Sequence, residues 1–594
     1  MALAHVLYST YSDDMHKRWW IPCTVIAILL LPILLPLWSK TILGSADNLA
    51  HLFRVVNLAH ALSQGYIWPR WAALEAHGYG APIFNFNYML PYYFVWLLWQ
   101  MTGSLIHASQ LFMMGTLLGS AFGMYLFVSS LFTIPAAIVA ALVYAYMPYH
   151  LMTVYLYGGY GEALAFVWLP FFAYFFVRCI QYPKKYVFGV SSIIVFALLI
   201  LTHNLSALMA VPFVYSVMFF VTSGLSYSKR AIYAALVTTS SALLTAWFWL
   251  PSLSEQQYTK LSVLFEKETS LRGYFFQMIS PIIENSFAAL RFTAPSYYSY
   301  AIGIPTIVIV LVAGIFLLQK LISRKNILAE HYRIAFVFML WFVLTLYMTR
   351  AVSEPLWKLL PAALNFLSYP YRFFFLNTFA VAVLAGFVVF MLKSIHAKCI
   401  SNLISIGLSV FVMWQGVIYA HPAIDRFSFG EEYFSYEQTV REAPFTHKNM
   451  GYIEFIPRTA DSDFVNGLDD AQTHPRVEVL SGQGTVVLTK QRAQDLYMQV
   501  KAEESVQLRV NILYFPGWQG IVRGARKDPN VDAQGRMVFV LPKGQYEFHV
   551  TFQKTPVRSL STFISIFSFA MFVLVIIYMF SKDIFRTAQA IERK

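Results

Sequence analysis

Residues 40–86 read KTILGSADNLAHLFRVVNLAHALSQGYIWPRWAALEAHGYGAPIFNF, the first polar segment after the first long apolar run. Leu49, Leu52, Phe53, Val56 and Ala59 recur at helical spacing, while Asp47, His51 and Arg54 fall at i, i+4 and i+7 on another face. That pattern predicts an amphipathic helix lying at a membrane surface. Its apolar face would rest on lipid or protein. Its other face would present a carboxylate, an imidazole and a guanidinium to water beside a bilayer, where acid/base and phosphate chemistry on a lipid-borne substrate is feasible. The plain alternative is that Asp47, or Ser45 in its place, only caps the helix, and that Gly65 and Pro69 end it by ordinary stop chemistry. A cap and a catalytic role are compatible.

Outward from this stretch the chain is strongly apolar. Of its 594 residues 58% are hydrophobic, 17% aromatic and only 12% charged, with a mean hydropathy of +0.56. Such values lie far outside soluble-domain norms and define a polytopic membrane protein. The formal net charge of +13 would suit a nucleic-acid partner, but most Lys and Arg sit in short clusters between apolar runs. That is the pattern that orients membrane spans, and it excludes nucleic acid. Cys23, Cys179 and Cys399 lie in or next to spans, near ends assigned to the cytoplasm, so no disulfide framework is implied. Asp13, Asp14, Lys17 and Arg18 precede the apolar run 19–38, which no small-residue cleavage site follows. The run is expected to be an uncleaved first span, its length of about twenty residues matching a hydrocarbon core of about 30 Å.

Positive clusters then order the chain. Lys184/Lys185, Lys229/Arg230, Arg324/Lys325, Lys393/Lys398 and Lys582/Arg586 mark every second loop. They predict about 12 to 13 spans with both termini in the cytoplasm. Between Asn87 and Leu156 there are three apolar stretches where only two crossings fit, so one is expected to be short, re-entrant or broken, around Pro91 or around Pro135 and Pro148. The segments 39–86, 155–162, the turn at His203, 251–300, 350–372 and 421–555 should form one extracytoplasmic face. The expected division is a transmembrane core over 1–420, a β domain over 421–555, and a final span with a cytoplasmic tail over 556–594.

Several of these segments carry polar residues that a plain connector would not need. YLYGGYGE, residues 155–162, places Glu162 after a glycine-rich turn, as a site carboxylate or as a first-turn residue favoured by the helix dipole. His203 and Asn204 interrupt VFALLILTHNLSALMAVPF, as site residues or as satisfied interfacial ones. Arg372 in LSYPYRFFFLNTF is a phosphate clamp or a snorkelling anchor. The loop 251–300, with Glu266, Lys267, Glu268, Arg272 and many aromatics, is expected to cover the substrate and to be partly mobile.

From about 421 to 555 the 3.6-residue period gives way to alternation: Val477, Val479; Val486, Leu488; Tyr497, Gln499; Leu508, Val510, Ile512; Val538, Val540; Tyr546, Phe548, Val550. The turn signals GQG, FPGW, AQG and PKG separate these runs, as a β-sandwich requires. Trp518 of FPGW reads equally as a core residue or a stacking platform.

The block SADNLAHLFRVVNLAHALSQGYIWPRWAALEAHGYGAPIFNFNYMLPYY, with Asp, then His and Arg, then PRW, then GYG-x-P, resembles the first external loop of bacterial C-type glycosyltransferases. It is most similar to the membrane-protein group labelled as related to 6-pyruvoyl-tetrahydropterin synthase. LYFPGWQGIVRGARKDPNVDAQGRMVFVLPKGQYEFHVTFQKTPVR is similar to that group's C-terminal β domain and final span. WKLLPAALNFLSYPYRF resembles its Pro-aromatic-Arg segment and LTHNLSAL its His-Asn turn.

The resemblance implies a C-type glycosyltransferase fold in the bacterial inner membrane. It implies inverting transfer of a sugar from a polyprenyl-phosphate carrier to a lipid, glycan or protein acceptor at the extracytoplasmic face. Asp47 occupies the position of the family's candidate base. Arg372 or Arg54 would stabilise the leaving phosphate, and His51, Arg54, Arg70, Glu162, His203 and Arg372 are the implied substrate-binding residues. No cofactor is implied. The family includes metal-dependent and metal-independent members; Asp47, Glu162 and His203 are conceivable ligands, but a tightly bound metal is not expected. The pterin label finds no support, because His51, His60 and His77 lack tight ligand spacing. A transporter or lipid flippase predicts charges near the midplane and internal repeats, neither of which the chain shows. A non-catalytic scaffold of a cell-envelope polysaccharide pathway would share the same fold.

Overall fold

The computed structural model of the chain describes residues 20–40, 45–261, 277, 282–288, 300–323, 329–359, 369–395, 398–420, 455–467 and 475–592. Eight of the described helices are long and apolar enough to cross a membrane, and ten spans result if each of two bent pairs counts as one. The count read from the charge clusters is higher. Part of the difference lies in the apolar helices Tyr186–Thr202 and Asn204–Val217, which meet at His203 and fall below span length. At about 1.5 Å per residue, a helix the length of Asn204–Val217 covers only about 21 Å. Charge clusters report that an apolar run lies between them, not that it is long enough to cross.

The irregularity expected between residues 87 and 156 is shared between two places. Leu90–Thr102 is a helix of only 13 residues, while Leu105–Ser129 is a full span. Ile134–Tyr146 and Pro148–Tyr157 then form a pair bent by 46°. Pro148 has no N–H to offer the carbonyl of Tyr144 four residues back. The His150 ring takes that place, with Nδ1 2.9 Å from the Tyr144 carbonyl oxygen. The broken helix ends in a π-helical turn, Thr153–Tyr157, followed by Gly158 at φ +62°. A Cβ on Gly158 would stand 2.3 Å from Ser45 Oγ and 2.8 Å from Asn48 Cβ, so glycine is needed here for both its backbone and its lack of bulk.

Two spans form the centre of the bundle. The most apolar windows of Pro370–Ser394 and Tyr160–Gln181 are 94% and 89% buried, whereas that of Pro556–Met579 is 11% buried. A helix apolar all round can be enclosed by other helices or by lipid, and the fold uses both solutions.

The C-terminal domain is a pair of antiparallel sheets. The strands are β1 Val477–Ser481, β2 Gly484–Arg492, β3 Asp495–Ala502, β4 Val506–Leu513, β5 Trp518–Val522, β6 Ala525–Lys527, β7 Asn530–Val531, β8 Arg536–Leu541 and β9 Gly544–Phe552. One sheet has the order β1-β4-β8-β7 and the other β2-β3-β9-β5-β6. The alternation in β4 and β9 reads correctly: Leu508, Val510, Phe548 and Val550 are buried. In β3 and β8 the other face is inside. Leu496, Met498 and Val500 are buried in place of Tyr497 and Gln499, and Met537, Phe539 and Leu541 in place of Val538 and Val540. Both faces of RMVFVL carry apolar residues, so a period of two does not say which set points inward there, whereas in DLYMQVKA the inward set Leu496, Met498, Val500 and Ala502 alternates with the mostly polar Asp495, Tyr497, Gln499 and Lys501.

The sandwich core extends into the first inter-span loop. Trp71, Tyr79 and Phe86 share a buried cluster with Phe515, Trp518 and the strand residues. Trp71 meets Trp518 edge-on at a centroid distance of 5.4 Å, which makes Trp518 a core residue. The expected covering loop around Glu266–Arg272 lies outside the described residues, as do residues 421–454 of the expected β domain and 361–368 before the Pro-aromatic-Arg turn.

Candidate functional site

The helix expected in residues 40–86 runs from Asn48 to Ser63. Asp47 stands at its N-cap, yet its side chain makes no capping bond. Ser45 does not substitute for it, since its Oγ is buried and without a hydrogen-bond partner. What fixes the helix start is the backbone of the π-helical turn: Ala46 N donates to the Leu156 carbonyl at 2.9 Å and Asp47 N to that of Tyr157 at 2.8 Å. The Asp47 carboxylate is thus released from capping and tied by its main chain to the segment 155–162.

The polar face of this helix does not point to water as its spacing suggested. His51 and Arg54 retain 3% and 2% of their surface. They turn into the protein, against the Leu90–Thr102 helix, because a three-dimensional neighbour offers partners for them there. The Tyr92 hydroxyl is their common contact, lying 2.9 Å from His51 Nδ1 and accepting from Arg54 Nη1 at 3.2 Å and from Asn87 Nδ2 at 3.3 Å. The His51 ring stacks on Tyr160 at 4.9 Å, and the Tyr160 hydroxyl donates to Asn48 Oδ1 at 2.8 Å. Burial, and then the positive charge of Arg54, hold the His51 imidazole well below its usual range. It is therefore neutral near pH 7, a hydrogen-bonding group more than a charge.

The other candidates gather beside it. Glu162, in the first turn of Tyr160–Gln181, accepts a hydrogen bond from the Tyr149 hydroxyl at 2.8 Å. Tyr88 lies over that turn because Gly161 lets it: a Cβ there would stand 2.2 Å from Tyr88 Cζ. The Tyr88 ring meets His203 edge-on at 5.5 Å. Arg372 sits in the 3-10 turn Pro370–Phe373 that leads into the central span, its guanidinium 4.9 Å from the Tyr369 ring centroid. Its charge acts on Glu162 and His203. Tyr371, stacked at 5.1 Å on Tyr300 and at 6.1 Å on Tyr157, feels the charges of Arg372, Glu162 and Asp47 together. Asp47, Glu162, His203 and Arg372 are each half-buried, while His51 and Arg54 are buried.

Arg70 lies apart from this cluster. It donates to Asn85 Oδ1 at 2.8 Å and to the Trp247 carbonyl at 2.5 Å. Asn85 in turn donates to Glu255, which pairs with Arg558 at 2.9 Å. This buried network joins the first inter-span loop to the helix Ala246–Glu255 and to the base of the last span. Burial, with Arg558 nearby, brings the Arg70 guanidinium down to about 10.

Tyr88, Tyr92 and Glu75 are members that the sequence pattern did not single out. Glu75 is buried on the turn between Trp71 and Ala81, and burial pushes its carboxyl up to about 7 against the opposing effect of Arg54. The aromatic run NYMLPYYF reads as span interior, and nothing local marks which ring faces a polar cluster. Among the described residues no three His, Cys, Asp or Glu side chains stand close enough to share a metal ion.

Among solved structures, the chain is similar to an archaeal oligosaccharyltransferase, AglB from Archaeoglobus fulgidus, in complex with an inhibitory peptide and a dolichol-phosphate (13% identity, TM-score 0.44, covering 68% of this chain and 56% of that one). It is also similar to the arabinofuranosyltransferase AftD from Mycobacteria (15%, 0.40, 69% and 27%) and to ArnT from Cupriavidus metallidurans bound to undecaprenyl phosphate (14%, 0.28, 63% and 78%). The chain spans a little over half the length of the oligosaccharyltransferase. No curated protein matches significantly in sequence. The family model described as 6-pyruvoyl-tetrahydropterin synthase related domain, membrane protein, matches residues 84–419, a stretch that includes Tyr88, Glu162, His203 and Arg372. It covers more than half of the chain, and the protein accordingly belongs to that family of membrane proteins.

Proposed function

We propose that this protein is an inverting glycosyltransferase that moves a sugar from a polyprenyl-phosphate-linked donor to an acceptor hydroxyl at the extracytoplasmic face of a bacterial inner membrane. The observation that supports the reading is that Asp47 N bonds the Tyr157 carbonyl of the turn leading to Glu162 at 2.8 Å, and that Tyr371, next to Arg372, stacks on the Tyr157 ring at 6.1 Å. A carboxylate, a second carboxylate and a guanidinium from three distant segments thus lie in one half-buried cluster. The motifs that resemble C-type glycosyltransferases fall on these segments, and the positive clusters assign them to the side opposite the cytoplasm.

The chemistry follows from the charges. Asp47 takes the proton of the acceptor hydroxyl as the oxygen bonds to the anomeric carbon. The bond from that carbon to the carrier phosphate breaks on the opposite face, and the phosphate leaves with the electron pair. It needs a cation more than a proton, and Arg372 supplies one, with Arg54 behind it. Glu162, held by Tyr149, and His203 hold the sugar or the acceptor.

Asp47→Asn tests the reading. It keeps the size of the side chain and removes the proton acceptor. Asn suits a helix start about as well as Asp, so the fold should survive the change. Turnover should fall roughly a hundredfold or more, the range for losing a general base. Glycolipids and glycans compared between cells carrying the wild type and cells carrying Asp47→Asn provide the assay. Wild-type product levels at wild-type protein abundance would take Asp47 out of the mechanism and move the role of base to Glu162.

A further inference from the structure

The loop that follows the Asn48–Ser63 helix turns two large apolar side chains outward. Ile67 and Trp68 are 63% and 62% exposed, although the chain is sealed again at Trp71 and Ala72. Trp68 stands between two rings carried by apolar helices. It lies 5.0 Å from Trp247, at the bend between Tyr227–Leu244 and Ala246–Tyr258, and 5.4 Å from Tyr93 on the Leu90–Thr102 helix. The Tyr93 hydroxyl donates to the Ile67 carbonyl, which ties the loop tip to that helix. From Tyr93 an apolar stripe runs along the helix at i+4 and i+8, where Leu97 and Met101 are 51% and 74% exposed. On a membrane protein such a stripe faces acyl chains, and Trp and Tyr collect where the chains meet the headgroups. Ile67 and Trp68 are continuous with this lipid-facing surface.

Beside the rings stands a fixed cation. Arg70 is half-buried, its guanidinium carbon 6.0 Å from the Trp247 ring centroid. Nη1 and Nη2 are held by their bonds to Asn85 Oδ1 and the Trp247 carbonyl. Nε has no partner among the described residues and is not sealed from the surface. The network behind Arg70 does not balance its charge. Glu255 Oε1 accepts from Thr555 Oγ1 at 2.6 Å, and Oε2 accepts from Asn85 Nδ2 at 2.8 Å and from Arg558 Nε at 2.9 Å. Its direct ion pair is with Arg558. Two guanidiniums share one carboxylate, which leaves a surplus positive charge at the edge of a low-dielectric region.

We propose that Arg70, Ile67, Trp68 and the stripe of Tyr93, Leu97 and Met101 form a binding site for a phospholipid with a negatively charged headgroup. Arg70 takes the phosphate, Trp68 and Tyr93 lie against the glycerol region, and an acyl chain follows the stripe. A guanidinium already held in place makes charge-assisted bonds to a phosphate with little further ordering. The surplus charge selects an anionic lipid over a zwitterionic one, whose own ammonium offsets its phosphate. The site is separate from the cluster around Asp47. The helix Asn48–Ser63, about 24 Å long at about 1.5 Å per residue, leads from Asp47 to the loop that carries Arg70. The bound lipid fastens this loop to the bilayer and, through Asn85 and Glu255, to the base of the last span.

The test uses the full-length protein in nanodiscs of equal parts phosphatidylglycerol and phosphatidylcholine, with p-benzoylphenylalanine placed at Leu97. Irradiation links the probe to the neighbouring lipid, and mass spectrometry of the adducts gives the ratio of the two lipids. With Arg70 in place the ratio should favour phosphatidylglycerol several-fold over the bilayer composition. Arg70→Gln should return it to that composition, and Arg70→Lys should lie between the two, because a point charge replaces a fork of donors. The bilayer ratio in the protein with Arg70 intact would overturn the site, as would an enrichment that Arg70→Gln leaves in place. If Arg70→Gln does not fold, Trp68→Ala decides, since it changes an exposed ring and leaves the Arg70 bonds intact. It should lower the enrichment at least twofold, and an unchanged enrichment would refute the assignment of this surface.

Discussion

At the scale of single residues, the site is decided by what each polar group is free to do. Asp47 looks like an N-cap by position, but the backbone of residues 156 and 157 takes over the fixing of the helix start. Arg372 looks like an anchor at a span end, but its guanidinium packs over the Tyr369 ring, and Glu162 and His203 are near enough to feel its charge. Arg372→Ala should weaken undecaprenyl phosphate binding by about tenfold or more, the scale of losing a charge-assisted contact of about 1.5–3 kcal/mol. Arg372→Lys should recover only part of it, because a planar bidentate donor becomes a point charge. Equal affinity in wild type and Arg372→Ala, measured by titration in nanodiscs, would leave the residue as an interfacial anchor.

At the scale of elements, the break in the chain around Pro148 builds the site. The proline frees the Tyr144 carbonyl, His150 occupies it, and the π-helical turn that follows offers the carbonyls of Leu156 and Tyr157 to the start of the Asn48–Ser63 helix. Single π-helical turns of this kind are frequent at functional sites. The next helix begins with Gly161, whose missing side chain makes room for Tyr88. Gly161→Ala inserts a methyl where none fits and should displace the Tyr88 ring from His203. Overpacking of this order costs about 1–3 kcal/mol. The expected outcome is a folded protein with a Tm lowered by a few degrees and product formation reduced at least tenfold. An alanine variant with wild-type turnover would show that the Tyr88 contact is not needed for the reaction.

At the scale of the whole molecule, the β domain and the bundle are joined by buried polar bonds as well as by aromatic packing. Arg558 at the base of the last span pairs with Glu255 and also donates to the Pro516 carbonyl of the domain. The sandwich therefore stands on the same end of the bundle as the cluster around Asp47. Which side of the membrane this is follows from the charge clusters alone. A membrane-impermeant thiol reagent applied to intact cells should label a cysteine placed at Lys490, and should spare cysteines placed at Tyr186, Arg230 or Lys325 until the cells are opened. Labelling of position 490 only after opening would reverse the orientation and with it the proposed access of the acceptor.

Composition and periodicity were sufficient for the membrane class, the Asn48–Ser63 helix, the irregular stretch near Pro148 and the change to a β domain, because each is written in a local pattern of apolar residues. Span length was legible less well, since runs such as Asn204–Val217 are apolar without being long enough. The tertiary structure alone decided which face of β8 is inside, that His51 and Arg54 are buried, and that Arg70 belongs to the network of Glu255 and Arg558. It alone buried Glu75 in the turn between Trp71 and Ala81. A period of 3.6 or 2 tells whether a face is apolar. It does not tell what will cover a polar face, because the covering groups lie tens to hundreds of residues away and carry no local mark of the partner they will meet.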